Sequence, residues 1–428
     1  MTHNHSTESA LLSSVPMSET TDITRTSAKT VYLDNNATTK IDPKVLAEMM
    51  PYLDEFYGNP SSIHELGAKV GRAMECAREQ VQSLVGAEFS SEIIFTSSAT
   101  EATTTAILSA IEAQPDKKEI ITSVVEHPAT LQRCENLERK GYRVHWIGVD
   151  KKGRFDLESY RAALSDQTAI VSVMWANNET GTLFPIEEIA SAAKEYGAQC
   201  HVDAVQVMGK HPIDIKSTQV DMLSLSGHKF HAPKGIGALY LRRGTRFRPL
   251  LRGGHQERGR RAGTENAASI IGLGKACELA ERSLIENNHR IAMMRDRLEQ
   301  GILARIPNTF VTGNPTQRVV NTSNIAIEYI EGEALLLMMN QLGIAASSGS
   351  ACTSGSLEPS HVMKAMDIPF TAAHGTLRFS LSRFNCDEDV DHVLAHLPNI
   401  VARLRALSPY WDNKTNSGIE QGFAPVYA

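Results

Sequence analysis

The chain lacks any apolar run near the roughly 18 residues that a membrane-spanning helix requires. Its six cysteines (Cys76, Cys134, Cys200, Cys277, Cys352 and Cys386) include no C-x-x-C pair, and the nearest two lie 34 residues apart. That spacing excludes a zinc ribbon and a cysteine-ligated cluster, so no intrinsic metal is expected. Positive charge is not in excess: 43 Lys and Arg stand against 49 Asp and Glu, a net charge of −6. Such a chain is a poor candidate for general nucleic-acid binding. A secretory signal is missing too, since residues 1–30 contain thirteen Ser or Thr and only a short apolar stretch. The expected setting is a reducing, cytoplasmic one with free thiols, and neither membrane nor nucleic acid as partner.

What is present is an ordinary globular composition, 42% hydrophobic and 21% charged over 428 residues, enough for two or three domains. Short apolar or β-branched runs occur at Glu92–Thr96, Glu119–Val125, Tyr142–Val149, Ala169–Trp175, Gln199–Ala204, Asp221–Ser226 and Ile236–Arg242. Helical periodicity lies between several of them, at Val70–Leu84, Glu101–Ala113 and Glu187–Tyr196. This alternation predicts an α/β fold around a mostly parallel sheet. A longer helical pattern near Ala267–Leu303 leads into a more mixed last third. The predicted organisation is a disordered tail (1–30), a segment joining the small domain (31–44), a large domain (45–285), a smaller α/β domain (286–408) and a second tail (409–428).

Several strand ends carry chemistry. The run Asp221-Met-Leu-Ser-Leu-Ser226-Gly227-His228-Lys229 delivers a lysine from a strand end. Desolvated there, an amine is suited to bonding a carbonyl group. Asp203 ends another apolar strand 26 residues upstream. Ligands of open α/β sheets bind beyond such carboxyl ends. Pyridoxal phosphate needs this pair, a lysine for its aldehyde and a carboxylate for its ring nitrogen. Ser98-Ala99-Thr100-Glu101 has the form of a capping box, which would present a helix N-terminus to a phosphate. His127 and the turn Asn177-Asn178 also fall at strand ends. Taken singly, each has an ordinary structural explanation: a cap, a turn or a surface ion pair.

Arg242–Arg261 holds eight arginines in twenty residues; its glycines and the acidic chain favour a subunit interface or a small-phosphate contact over nucleic acid. Cys76, Cys200 and Cys277 lie in helical or strand patterns and read as core fillers. Cys352 differs. It sits in Ser347–Ser356, ten residues with five Ser and two Gly, which predicts a flexible exposed loop and a reacting thiol. Arg378, in an alternating strand pattern, is suited to clamping a carboxylate.

Together these motifs resemble the cysteine desulfurases, pyridoxal-phosphate enzymes of fold type I. The resemblance runs from Tyr32-Leu-Asp-Asn-Asn-Ala-Thr-Thr39 to about Ala406, through Gly58–His64, Ala176–Gly181, Ser226–Lys229, Arg258–Thr264 and Ser347–Ser360. The wording around Cys352 and at Pro369–Gly375 is most similar to the NifS branch, associated with nitrogenase cluster assembly. The resemblance implies that Lys229 holds pyridoxal 5′-phosphate, that His127 stacks on its ring and that Asp203 pairs with its nitrogen. It implies Gln206 on the ring oxygen and Asn178 on cofactor or substrate. Ala99, Thr100, Ser226, Gly227, His228 and, across a homodimer, Thr264 would hold the phosphate. Arg378 would take the carboxylate of L-cysteine. Cys352, with Lys229 and His127, would be catalytic, becoming a persulfide that passes sulfur to an iron–sulfur scaffold protein of the NifU/IscU type and transiently meeting that partner's cluster. A departure is Ala102-Thr-Thr-Thr105, where the family has a polar stretch with Asp-Asn. A selenocysteine lyase or aminotransferase of the same fold, or a non-catalytic sulfur-transfer scaffold, are the alternative readings.

Overall fold

A computed structural model describes residues 30–348, 359–412, 414–415 and 417–419. The strands are β1 (Val31–Tyr32), β2 (Ile93–Thr96), β3 (Glu119–Ser123), β4 (Arg143–Ile147), β5 (Thr168–Met174), β6 (Gln199–Asp203), β7 (Met222–Ser226), β8 (Gly237–Leu241), β9 (Thr309–Thr312), β10 (Thr322–Ile327), β11 (Ile344–Ala345), β12 (Thr376–Ser380), β13 (Trp411–Asp412) and β14 (Ser417–Gly418), the last two pairing as a hairpin with Trp411 buried inside the expected second tail. The helices are α1 (Pro43–Met49), α2 (Glu65–Val85), α3 (Ala99–Ala113), α4 (Pro128–Arg139), α5 (Leu157–Ala163), α6 (Ile186–Glu195), α7 (Ala267–Arg305), α8 (Gly332–Gln341), α9 (His361–Ala365), α10 (Phe370–Ala373) and α11 (Asp387–Leu407).

Seven strands form the central sheet in the order β2-β8-β7-β6-β5-β3-β4. The predicted runs correspond to these seven. Six point the same way; β8 runs against both of its neighbours. All seven residues of β5 are buried, as befits a parallel strand covered on both faces. Alternation divides the side chains. Ile93 and Phe95 join a core on one face, while Ile94 joins the core beneath α3 and α4 on the other.

A separate core gathers Val31, Leu33, Leu298, Ile325, Phe379 and Leu397 around the small sheet β12-β10-β9. Strand β1 reaches it by pairing in parallel with β11. Helix α7, 39 residues and about 58 Å long, serves both cores. Ile270 through Ala280 pack on the large core, and Ile291 through Ile302 on the small one. Gly274 lets α7 lie close on α2, since a Cβ there would stand 2.5 Å from Ala77 Cα. Residues Val362–Ala373, late in the chain, bury against the large core. Among the described residues no helix is long and apolar enough to cross a membrane.

Cys134, Cys200 and Cys277 are buried. Burial pushes the Cys134 thiol up to about 12 and raises Cys200 and Cys277 likewise. Cys76 departs from the expected core role: it is exposed, because the buried stripe of α2 runs through Val70, Met74, Ala77 and Val81 and passes it by. The arginine-rich stretch is tied inward. Arg261 pairs with Glu101, and Glu257 on the same stretch receives a two-pronged bond from Arg78.

Candidate active site

The co-directed strands end together, and their carboxyl ends open on one cavity of ≈ 370 Å³. Ala99 and Thr100 enter from the β2–α3 junction, His127 from β3 and Asn178 from beyond β5. Asp203 and Gln206 come from β6, Ser226, His228 and Lys229 from β7, and Arg378 from β12. Two of the expected residues that are described, Gly227 and Thr264, are absent from that wall. Gly227 turns toward Ile236 and Ala232, where a Cβ would meet atoms at 2.9 and 3.0 Å, so its part is close packing under the lysine turn. Thr264 is exposed and lies away from its own chain's cavity. Cys352 lies outside the described residues.

Lys229 ends the tight turn Gly227–Lys229. Its Nζ donates to the main-chain oxygens of Asn36 (2.6 Å) and Ala37 (2.9 Å). Thr39 clamps the preceding carbonyl, donating to His228 O from its N–H (2.8 Å) and its hydroxyl (2.9 Å). The amine is thus presented by a strand end and braced by the N-terminal strap.

Opposite it, Asp203 is buried with Oδ1 accepting the Val205 N–H at 2.9 Å. Burial raises its carboxyl, while His127 and Lys229 work the other way. His127 caps α4, its Nδ1 accepting from the Ala129 N–H at 3.1 Å, which leaves the proton of the neutral ring on Nε2. Burial favours that neutral ring. Next to it Glu126 is fully buried: Oε1 accepts from Ser123 Oγ (2.6 Å) and Met174 N–H (3.0 Å), and Oε2 has no hydrogen-bond partner among the described residues.

Burial pushes the Glu126 carboxyl up to about 8. In an unfolded chain it ionises near ~4.3. As pH rises from there toward 8, the unfolded chain gives up a proton that the folded chain keeps, so stability falls; above about 8 the loss stops growing. Glu126→Gln removes this dependence. Between about pH 5 and 8 the parent is expected to lose up to a few kcal/mol relative to that variant, read by calorimetry. Parallel stability curves would refute the assignment.

At the head of α3, Ser98 Oγ accepts the Glu101 N–H at 3.2 Å, as a cap should. The reciprocal arm of the expected box is missing: Glu101 reaches Ser97 and Arg261 instead. The N–H groups of Ala99 and Thr100 have no partner among the described residues. Gly237 sits directly below, where a Cβ would lie 2.8 Å from Ser98 C and 3.0 Å from Ala99 N. His228 Nδ1 meets Thr38 Oγ1 at 3.1 Å, and burial with nearby cations presses its ring down to about 4, leaving it neutral. Thr103, from the departing stretch, lines the same cavity and bonds Ser224 Oγ at 3.1 Å.

Arg378 lies on an edge strand yet is 2% exposed. Its fork is engaged, Nη2 with Asp34 Oδ1 at 2.6 Å and Nη1 with Asn178 O at 3.0 Å, while Nε is buried without a partner among the described residues.

Residues 31–393 match the family model for aminotransferase class-V. The cysteine desulfurase NifS of Azotobacter vinelandii is 62% identical over 400 residues, covering 93% of this chain and 99% of that protein. A solved NifS-like protein superposes with a TM-score of 0.82 at 37% identity, over 88% of this chain and 100% of that one. SspA in complex with cysteine gives 0.72 at 32% identity, over 83% and 99%. The chain belongs to the class-V aminotransferase family. Its relatives there are cysteine desulfurases, pyridoxal-phosphate enzymes of the fold seen here.

For a class-V aminotransferase the cavity is well made to take that cofactor. A lysine faces a buried carboxylate, and an unpartnered helix N-terminus lies beside them. Sequence reasoning missed the strap. Asn36, Ala37 and Asp34 fall inside the motif Tyr32–Thr39, and an Asn-Asn pair next to a strand was the available signal. It missed Lys210 as well, four residues beyond Gln206, for which nothing in the local pattern spoke.

Proposed function

We propose that the chain is a cysteine desulfurase that converts L-cysteine to L-alanine and carries the released sulfur on Cys352 as a persulfide. The reading is carried by one observation: the Lys229 amine and the Asp203 carboxylate face the same cavity beside the open N-terminus of α3. Pyridoxal phosphate supplies, when bound, an electron sink that makes the amino acid's α-hydrogen acidic. Lys229 would hold the cofactor and move the proton at the substrate α-carbon. Asp203 would pair with the ring nitrogen, His127 would stack on the ring and Gln206 would donate to the ring oxygen. The N–H groups of Ala99 and Thr100, with Ser226 and His228, hold the phosphate, and Thr264 of a second copy completes the cradle in a homodimer. Arg378 would grip the substrate carboxylate, using the Nε that has no partner among the described residues and the fork now taken by Asp34 and Asn178.

Sulfur transfer is a displacement at sulfur. The Cys352 thiolate attacks the substrate sulfur, an S–S bond forms and the Cβ–S bond breaks. The bonding pair stays on Cβ, which takes a proton to become the methyl group of alanine. An iron–sulfur scaffold protein in the cytoplasm then accepts the sulfur; the 62% likeness to a NifS enzyme favours nitrogenase cluster assembly as its destination. Residues 45–285 are read as the cofactor-binding unit and 286–408 as a smaller unit joined by 31–44.

The test is incubation of the cofactor-loaded protein with L-cysteine. Alanine and released sulfur are expected in equal amounts without any keto acid, with one added sulfur on the Cys352 peptide. A requirement for a keto-acid acceptor would turn the reading to an aminotransferase, and no alanine at all to a scaffold.

A further inference from the structure

Behind Lys229 lies a second, smaller cavity, lined by Asn35, Thr39, Lys210, Asn321 and Arg383 as well as by Lys229 itself. Lys210 stands in the turn that follows β6, held at its carbonyl by Asn288 Nδ2 of α7 at 2.9 Å. Its Nζ donates to Gln206 Oε1 at 3.0 Å and to Asn36 Oδ1 at 3.4 Å. Asn36 is the hub between the two lysines. Its main-chain oxygen accepts from Lys229 Nζ at 2.6 Å and from Gln206 Nε2 at 3.1 Å. Its side-chain amide is fixed in orientation, because Nδ2 donates to Thr322 Oγ1 (2.8 Å) and Oδ1 accepts from Asn321 Nδ2 (3.0 Å).

An ammonium has only donors. Any amide oxygen bound to it therefore turns its NH₂ group elsewhere. With Oε1 of Gln206 taken by Lys210, the NH₂ spends one hydrogen on Asn36 O and keeps the other for the cavity that Gln206 lines. We propose that Lys210 is a positioning residue that commits Gln206 to donating toward the cofactor's ring oxygen and sets a cation behind Lys229. This rests on the reading above that pyridoxal phosphate is the cofactor. Both effects favour the deprotonated form of the bound cofactor: a donor stabilises the ring oxygen as an anion, and a neighbouring cation opposes a second positive charge at the Lys229 nitrogen. Burial, with the cations Lys229 and Arg378, presses the Lys210 amine down to about 7; attachment of the cofactor to Lys229 would remove one of those opposing charges.

The experiment is a pH titration of the cofactor's visible absorption in the holoenzyme. Lys210→Met is expected to move the midpoint upward by about one pH unit, and Lys210→Arg to return most of that shift. A merely structural lysine would lower the melting temperature or the cofactor content and leave the midpoint in place. A folded Lys210→Met protein that titrates like the parent overturns the proposal, as does a folded Lys210→Arg protein that restores nothing. If Lys210→Met does not fold, Lys210→Gln, neutral but still a donor, should give a smaller upward shift, and an unmoved midpoint there refutes the role. A parent with no pH-dependent visible band removes the cofactor reading itself and this inference with it.

Discussion

Lys229→Ala is expected to lose the visible absorption of the bound cofactor and to slow alanine formation by about 10²–10⁴-fold, the range of a removed acid–base group. On the proposed function the same side chain makes the covalent attachment and moves the α-proton, so both readouts are expected to fall together. The fold should survive. The change leaves the carbonyls of Asn36 and Ala37 without the amine, but they border an open cavity where water can replace it. Lys229→Arg separates the bracing bonds from the chemistry: it keeps donors near those carbonyls but can neither form the attachment nor take up the α-proton. Absorption spectra and single-turnover assays with L-cysteine make the comparison. A Lys229→Ala protein that keeps both the absorption band and turnover would sink the assignment.

Cys352→Ala is expected to divide the reaction at its middle. Cofactor binding and the spectral response to added L-cysteine should persist, while sulfur release falls to background. The described residues that flank this stretch bond to residues at or beside the cavity wall. Ser347 exchanges backbone bonds with Arg378 at 2.6 and 3.3 Å, and Ser360 Oγ donates to the buried Glu179 carboxylate at 2.6 Å, one residue after Asn178. A Cys352→Ala protein that releases sulfide from free cysteine at the parent's rate would show that the thiol is not the acceptor.

Much of the frame was legible in the chain. Buried parallel strands announce themselves as continuous apolar runs, which is why Ala169–Trp175 anticipated β5 and Gln199–Ala204 anticipated β6 within a residue or two. The acid and amine were legible because both close such runs. Partners far apart in sequence were not. That Asp34 would meet Arg378 across 344 residues depends on β1 threading beside β11, which no local pattern encodes. The capping motif at Ser98 was half right for a similar reason: Arg261, 160 residues away, competes for Glu101. Cys76 was misplaced because a helical pattern alone does not say which side faces the core. Nothing in the pattern around Lys210 marks it, because its partner Asn36 lies 174 residues away.

The pairing of β1 with β11 has a consequence for synthesis. Val31 and Leu33 belong to a core whose other members begin at Ile291. On a ribosome adding about 5–20 residues per second, the first strand waits roughly 15–60 s for the one that completes it. During that wait the large sheet can close while the strap that will brace Lys229 stays unpaired. The strap is built first, the lysine it braces about halfway along the chain, and the two are secured to each other late.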